Sequence, residues 1–490
     1  MDYTFEDFWG GISEDDKLAR EAQVIYAEGL DLFSNSSYVT TSPLPESIFT
    51  YESDGEALYF LKRDINVPIV GMDDNSIYRG GTKVFTNPNE VEAFWSNSKY
   101  LYWIDGAENI SRILLTDVNS SSWAGKVTVT ETNLENDFGP FFIIEEQDNA
   151  YIFYWTKIYE ILNSTGQIAN QYTFLYDRVV GVINLWSTLG IVQRDSKLFL
   201  WDKLSESPAQ QFKYAFDVAM ILQTGTSNQY IIGEGWLRRL DGDLTSTVIA
   251  SSYNSDEMQR NKFNFKAYSS GSFGFLKDMA YIWVDDIWDI VIDDGEAFET
   301  RFWSAAVCSV GIKKSGFPDA ISKFLITSSD GSRYKNIFWV VAKSQAANGL
   351  GDGLYILYEN ENNMRGLDFV DLNEQNYPTS KQGLMILPTF DGGDKQLQKN
   401  LTKVKVRADF KDNGNIYVMY MKDWELVYIN GTKADSKVKH SDETQLKELT
   451  VHKNFYDISL ALFIEQSSSK PKNDSVRFYS VNIEYGPTGR

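Results

Sequence analysis

The sequence predicts an all-β protein, a β-propeller of about seven blades followed by a small C-terminal β-sandwich. Three observations predict it: a strand–turn–strand unit that keeps recurring, a heavy aromatic load, and a change of rhythm in the C-terminal part. The unit is plainest at Tyr151-Ile152-Phe153-Tyr154-Trp155, an apolar strand that meets a tight turn and returns as Ile158-Tyr159-Glu160-Ile161-Leu162. Hydrophobic residues make up 43% of the chain and aromatic residues 14%, with 13 Trp, 28 Tyr and 30 Phe, which suits pleated, half-buried surfaces.

In chain order, the first copy of the unit is Ile69-Val70-Gly71-Met72, turning at Asp73-Asp74-Asn75 into Ile77-Tyr78-Arg79. The second runs Tyr100-Leu101-Tyr102-Trp103 and returns as Ile110-Ser111-Arg112-Ile113-Leu114. After the copy at 151–162 come Gly190-Ile191-Val192-Gln193 with Leu198-Phe199-Leu200-Trp201, and Tyr230-Ile231-Ile232-Gly233 with Trp236-Leu237-Arg238-Arg239-Leu240. A sixth is Ala280-Tyr281-Ile282-Trp283-Val284, turning at Asp285-Asp286 into Ile287-Trp288-Asp289-Ile290-Val291. A looser seventh pairs Ile337-Phe338-Trp339-Val340-Val341 with Leu354-Tyr355-Ile356-Leu357-Tyr358. A spacing of roughly 40–55 residues is the period of one four-stranded propeller blade. Turns carry Asp, Asn and Gly, as at Asp105-Gly106 and Asp241-Gly242-Asp243, and the chain has only 11 Pro, as central strands that need their ladder donors require.

The chain divides into three zones: an N-terminal arm at 1–30, the propeller at 31–385, and the sandwich at 386–490. Within the arm, Leu18, Ala22, Ile25 and Tyr26 recur at helical spacing and predict a short amphipathic helix over 14–28. In the third zone, strands alternate polar and apolar residues at 401–407, 416–421, 424–429, 457–464 and 476–485, the pattern of a sandwich. The boundary falls at Pro388-Thr389-Phe390-Asp391-Gly392-Gly393.

Charge and residue usage exclude several function classes. A net charge of -22 repels phosphate backbones and anionic lipid, so nucleic acid is not an expected partner. No apolar stretch reaches the length of a membrane-spanning helix, and Met1-Asp2-Tyr3-Thr4-Phe5-Glu6-Asp7-Phe8 is acidic where a secretory signal is basic. The triplets Asn163-Ser164-Thr165 and Asn430-Gly431-Thr432 therefore read as turns. The single cysteine, Cys308, lies in an apolar run and reads as a small buried hydrophobe. His440 and His452 are the only histidines, too few for a zinc site and far from any nucleophile-elbow pattern.

Other constellations reduce to structure. The acidic run Asp285, Asp286, Asp289, Asp293, Asp294 and Glu296 is interrupted by Ile287, Trp288, Ile290 and Val291, as on the solvent face of a hairpin. Gly349-Leu350-Gly351-Asp352-Gly353 lacks the Lys of a phosphate loop and reads as a turn. Trp95, Trp103, Trp123, Trp186 and Trp201 are expected between blades, the alternative being a platform for sugars. Sequence reasoning names no catalytic, cofactor-binding or metal residue and expects no enzyme.

Two segments carry a family resemblance. Phe8-Trp9-Gly10-Gly11-Ile12, then Tyr26-Ala27-Glu28-Gly29-Leu30-Asp31-Leu32 and Thr40-Thr41-Ser42-Pro43, resembles the N-terminal "GG-I … G-x-x-L-D" segment of a family of tailed-bacteriophage virion proteins. The stretch at 401–406, followed by Ile416-Tyr417-Val418-Met419-Tyr420 and Trp424-Glu425-Leu426, is similar to the core of that family's closing sandwich, with Met421-Lys422-Asp423 departing before the Trp. The resemblance implies a structural protein of the tail, baseplate or neck, made in the host cytoplasm and located in the virion. It implies other virion subunits as partners, assembly as a symmetric oligomer, and no cofactor. The alternatives are an adsorption protein that binds a host receptor or glycan and, further off, a glycan-degrading enzyme.

Overall fold

The computed structural model describes residues 1–6, 8, 24, 26–32, 39–61, 64–132, 134, 141–146, 149–173, 177–185, 188–214, 220–223, 229–233, 236–240, 246–251, 273–276, 279–285, 290–293, 298–301, 305–311, 320–343, 353–372, 382–409, 414–422, 425–438, 446–466 and 476–488. Every regular element among them is a β-strand. Six four-stranded antiparallel sheets and a four-strand run inside a larger sheet give seven successive meanders. The first comprises Gly55–Leu61, Asp64–Met72, Ser76–Arg79 and Thr82–Thr86, and the second Val91–Ser96, Tyr100–Asp105, Ile110–Leu114 and Thr128–Glu131. The third comprises Phe141–Glu145, Asn149–Tyr154, Lys157–Leu162 and Ile168–Thr173, and the fourth Val179–Leu185, Thr188–Gln193, Lys197–Trp201 and Ala209–Lys213. The fifth runs Met220–Gln223, Gln229–Gly233, Trp236–Leu240 and Ser246–Ser251. The sixth runs Phe273–Leu276, Met279–Asp285, Ala305–Gly311 and Ala320–Leu325.

The seventh meander is completed from the far end of the chain. Its strands Tyr334–Lys343, Gly353–Asn360 and Arg365–Asp371 are joined by Glu46–Tyr51, with Thr50 opposite Gly366 and Tyr51 opposite Arg365. The first strand of this meander also packs beside Gly55–Leu61, so the array closes on itself as a β-propeller. Closure leaves so little room that a Cβ on Gly55 would stand 2.1 Å from Leu357 Cδ2 and would force that side chain to shift.

The recurring hairpin is the second-to-third strand connection, and it works by the same backbone device in several meanders. Asn75, Glu108, Trp155, Ser196 and Asn363, one in each of five such turns, adopt left-handed φ values of 66°, 61°, 50°, 67° and 57°. In four of them the freed carbonyl then anchors the connection to the next meander. Asn87 N donates to Asn75 O at 2.8 Å, Leu134 N to Glu108 O at 3.3 Å, Val179 N to Trp155 O at 2.8 Å, and Tyr214 N to Ser196 O at 2.9 Å. One turn residue thus ends a hairpin and fixes the step between blades, which is why the unit repeats so visibly.

Alternate residues of the second strands feed alternate inter-blade cores. Leu101 and Trp103 pack with the first and seventh meanders, whereas Tyr102 and Ile104 pack with the third. Tyr151 and Phe153 continue the series towards Phe199 and Trp201 of the fourth. Trp95, Trp103, Trp123 and Trp201 are fully buried in these layers, as expected of blade-interface residues, and Trp186 lies outside the described residues. Cys308 is likewise buried, in the sixth meander.

The C-terminal sandwich faces the sheet Asp2–Glu6, Arg477–Pro487, Lys399–Asp409, Leu446–Phe455 against a second sheet through Gln382–Ile386, Leu460–Gln466, Gly414–Lys422 and Glu425–Tyr428. Its core includes Val404, Val406, Val418, Leu462, Ile464, Val481 and Ile483. The second sheet does not stop at the domain edge. It continues through Tyr26–Glu28 into Ala320–Leu325 of the sixth meander, and at its other side takes up Ile290–Asp293 and Phe298–Arg301, giving eleven strands in one ladder.

Pairing redraws several of the sequence expectations. Asp2–Glu6, assigned to an arm, is an edge strand of the sandwich, and Gln382–Ile386, assigned to the propeller up to residue 385, pairs inside the sandwich sheet. Tyr26–Glu28, the end of the expected helix, is extended because its backbone donors pair with 384–386; residues 14–23 lie outside the described set. The sixth hairpin is not formed as read: Met279–Asp285 pairs with Ala305–Gly311, and Ile290–Asp293 leaves the blade to run parallel to Glu425–Tyr428. Ile290 and Val291, which closed the expected blade strand at 287–291, suit the sandwich edge equally well. In the looser seventh copy the two strands do pair, as the first and second of their meander. The strand Leu446–Phe455 was invisible to patterning because its polar positions include a buried Lys447.

Candidate functional site: the acidic mouth of the ring

The first strands of neighbouring meanders stand side by side around the ring axis, the first beside the second and seventh, the second beside the third. Register skips one residue between Gly55 and Ala57, between Val91 and Ala93, and between Val179 and Gly181. The bulged positions are therefore Glu56, Glu92 and Val180, at the same level of three strands. A bulge twists its strand and re-aims one side chain, and in the first two meanders that residue is a carboxylate.

Around Glu56 and Glu92 gather Glu90, from the connection into the second meander, and Asp54 and Asp73, which the hydrogen bond from Asp73 N to Asp54 O (3.0 Å) brings together. Burial first, then the carboxylates of Glu90, Glu92, Asp73 and Asp54, push Glu56 up to about 7. Burial, then Glu90 and Asp105, push Glu92 up to about 7 as well. The backbone is held firmly beneath these groups. Trp339 Nε1 of the seventh meander donates to Glu56 O at 2.7 Å, and Gly106 N donates to Glu90 O at 2.8 Å. Arg365 supplies counter-charge at the margin, paired with Asp54 and, at 3.3 Å, with Glu359.

The other ends of the same strands are locked to one another. The Tyr59 hydroxyl donates to Glu145 Oε1 at 2.8 Å and lies 2.9 Å from Ser96 Oγ, while Ser96 N donates to Glu145 Oε1 at 3.2 Å. One end is thus crosslinked across three blades and the other presents proton-binding carboxylates. Chemically, the open end can hold a cationic side chain or protons.

Raised carboxyl values give a signed pH dependence. Folded Glu56 and Glu92 bind protons more tightly than the unfolded chain does, so their effect favours the fold below about 4.5 and is lost as pH rises through about 7. Thermal melts are expected to be higher at pH 5.5 than at pH 8. The double change Glu56→Gln, Glu92→Gln should flatten that difference and add about 1–2 kcal/mol at pH 8, after allowance for solvent screening. A double variant less stable than the parent at pH 8 would contradict the assignment.

Sequence reasoning named no site residue, and the acids that converge here were not among its candidates. Of the acidic run at 285–296, Asp286, Asp289, Asp294 and Glu296 lie outside the described residues, as do His440, residues 349–352 of the glycine-rich turn and the turn at 241–243. His452 sits exposed in Leu446–Phe455. Among the described residues no group of three His, Cys, Asp or Glu side chains converges to hold a metal, and no helix is long and apolar enough to cross a membrane. Both Asn-x-Thr turns use their amides internally: Asn163 Nδ2 donates to Glu146 O at 2.9 Å, and Asn430 Nδ2 to Asp435 O and Thr450 O, both at 3.1 Å.

No family model matches the chain, and no curated protein does. Among solved structures, that of U3-55K is similar over 67% of this chain and 100% of its own, with 10% sequence identity and a TM-score of 0.47. The propeller class rests on the strand pairing itself.

Proposed function

We propose that this chain is a non-catalytic structural protein of a tailed-phage virion, carried in the tail, baseplate or neck, where it docks other virion subunits. The observation that carries the reading is the eleven-strand sheet that fuses propeller and sandwich. A ring whose blade shares one ladder with the next domain presents two binding bodies at a fixed separation, which is what a docking element in a symmetric assembly requires. The family resemblance of the N- and C-terminal segments supplies the particle. The acidic mouth gives the propeller a face for a basic partner surface, since charge complementarity steers and registers such contacts.

Immunogold electron microscopy on intact particles, with antibody against 386–490, tests this. Label at one fixed level of the tail or neck is the expected result. Protein confined to the lysate, with unlabelled particles, would overturn it.

A further inference from the structure

The ring-closing meander contains a buried acid that none of the foregoing uses. Asp368 is fully buried in the strand Arg365–Asp371, at the β-bulge where that strand meets Glu46–Tyr51, with Ser47 as its register partner. Its Oδ2 accepts from Ser329 N at 2.9 Å and from the Tyr334 hydroxyl at 3.4 Å. Its Oδ1 has no hydrogen-bond partner among the described residues, and neither has the buried Tyr358 hydroxyl beside it. Two buried polar atoms without partners are a costly arrangement for an ionised carboxylate and a suitable one for a carboxylic acid.

We propose that Asp368 is a proton-operated clasp on ring closure: neutral, it holds the N-terminal strand Glu46–Tyr51 in the seventh blade, and ionised, it loosens that strand. The groups around it offer an anion little help. Tyr334 and Tyr358 face it from the first and second strands of the blade. Asp330, another carboxylate, acts on both tyrosines and is engaged with Ser328 Oγ, Ser332 N and Asn360 Nδ2. The strand Glu46–Tyr51 presents neutral Ser47 opposite it, and Glu46 pairs one place away with Phe369. Arg365 is committed to Asp54 and Glu359. In keeping with this geometry, burial pushes the carboxyl up to about 7 despite its hydrogen bonds from Ser329 and Tyr334 and the dipole of the neighbouring Tyr358 hydroxyl. The clasp is therefore closed in mildly acidic solution and weakens as pH rises through neutrality.

Hydrogen exchange on the full chain reads this locally, separately from the acids of the ring mouth. After correction for intrinsic exchange, protection of the amides in Glu46–Tyr51 and Arg365–Asp371 should fall by about tenfold between pH 6 and pH 8.5. Asp368→Asn should abolish that fall, whereas Glu56→Gln with Glu92→Gln should leave it in place. Tyr358→Phe, which removes one hydroxyl without a change of shape, should move the midpoint to higher pH and serves if Asp368→Asn fails to fold. Unchanged protection in the parent, the same fall in Asp368→Asn, or an unmoved midpoint in Tyr358→Phe would overturn the proposal.

Discussion

Replacing Glu46–Tyr51 by a Gly/Ser segment of equal length is expected to destabilise the protein by roughly 5 kcal/mol or more. The substitution leaves every other strand in sequence but removes the fourth strand of the seventh meander. Tyr51 is buried in the core that joins the seventh meander to the first two, and the half-buried Phe49 packs against the same core. Burial of one large apolar side chain contributes about 1.5–3 kcal/mol, and each lost ladder bond about 1 kcal/mol. The Arg365–Asp371 edge would then be open to pairing with other chains. Denaturant unfolding with an aggregation assay checks both effects. A loss below about 1 kcal/mol would mean that the ring does not depend on its N-terminal strand.

Trp103→Ala is the point substitution with the largest expected cost, about 3–5 kcal/mol. The indole is fully buried between the second meander and its neighbours, 6.0 Å from the Trp123 ring and 6.2 Å from that of Phe85. Its Nε1 donates to Asn87 Oδ1 at 3.1 Å, and Asn87 Nδ2 donates to the buried Asp105 carboxylate at 3.1 Å. Asp105 also accepts from Ala107 N at 3.1 Å and Asn109 N at 3.0 Å, which shapes the turn carrying the left-handed Glu108. Truncation therefore opens a cavity and loosens the network that sets one blade step. Trp103→Phe should cost less, and Leu204→Ala, at a side chain 91% exposed, about nothing. Equal losses for Trp103→Ala and Leu204→Ala in urea titrations would refute this ranking.

The parts of the fold legible in the sequence are those decided locally. The hairpins at 69–79, 100–114, 151–162, 190–201 and 230–240 are all second-to-third strand pairs with strongly apolar second strands and short turns. Fourth strands were harder to see because their outward faces are polar: Ile168–Thr173 is half-buried only at its Ile and Tyr, and Thr128–Glu131 is exposed over half its length. The closing strand could not be located from patterning, since Glu46–Tyr51 finds its partner in Arg365–Asp371 only after the ring forms. The strand expected at 287–291 coincides with the observed one only at 290–291 and was given the wrong partner, because an apolar run reports burial and not which sheet provides it.

The acidic mouth was illegible for a related reason. Glu56 and Glu92 belong to different blades, and what sets them apart from the other acids of a -22 chain is the bulge that each occupies. Bulges are a matter of register between strands, and no residue type in Gly55-Glu56-Ala57 or Val91-Glu92-Ala93 announces one. The proton clasp at Asp368 follows the same rule: its neighbours Ser329, Tyr334 and Tyr358 come from three other segments of the closing blade.

Whether the sheet shared by propeller and sandwich holds the two at a fixed separation is tested most directly by a distance distribution between spin labels on Leu204→Cys and Leu397→Cys. Both positions are exposed, at 91% and 55%, one in the fourth meander's turn and the other in the sandwich, while the native Cys308 is buried and does not compete for label. A single narrow distance, unchanged across buffers that leave the protein folded, is the expected result of one ladder running through both bodies. A broad or two-component distribution would show that the bodies move independently, and would contradict a scaffold that holds its partners at a fixed separation.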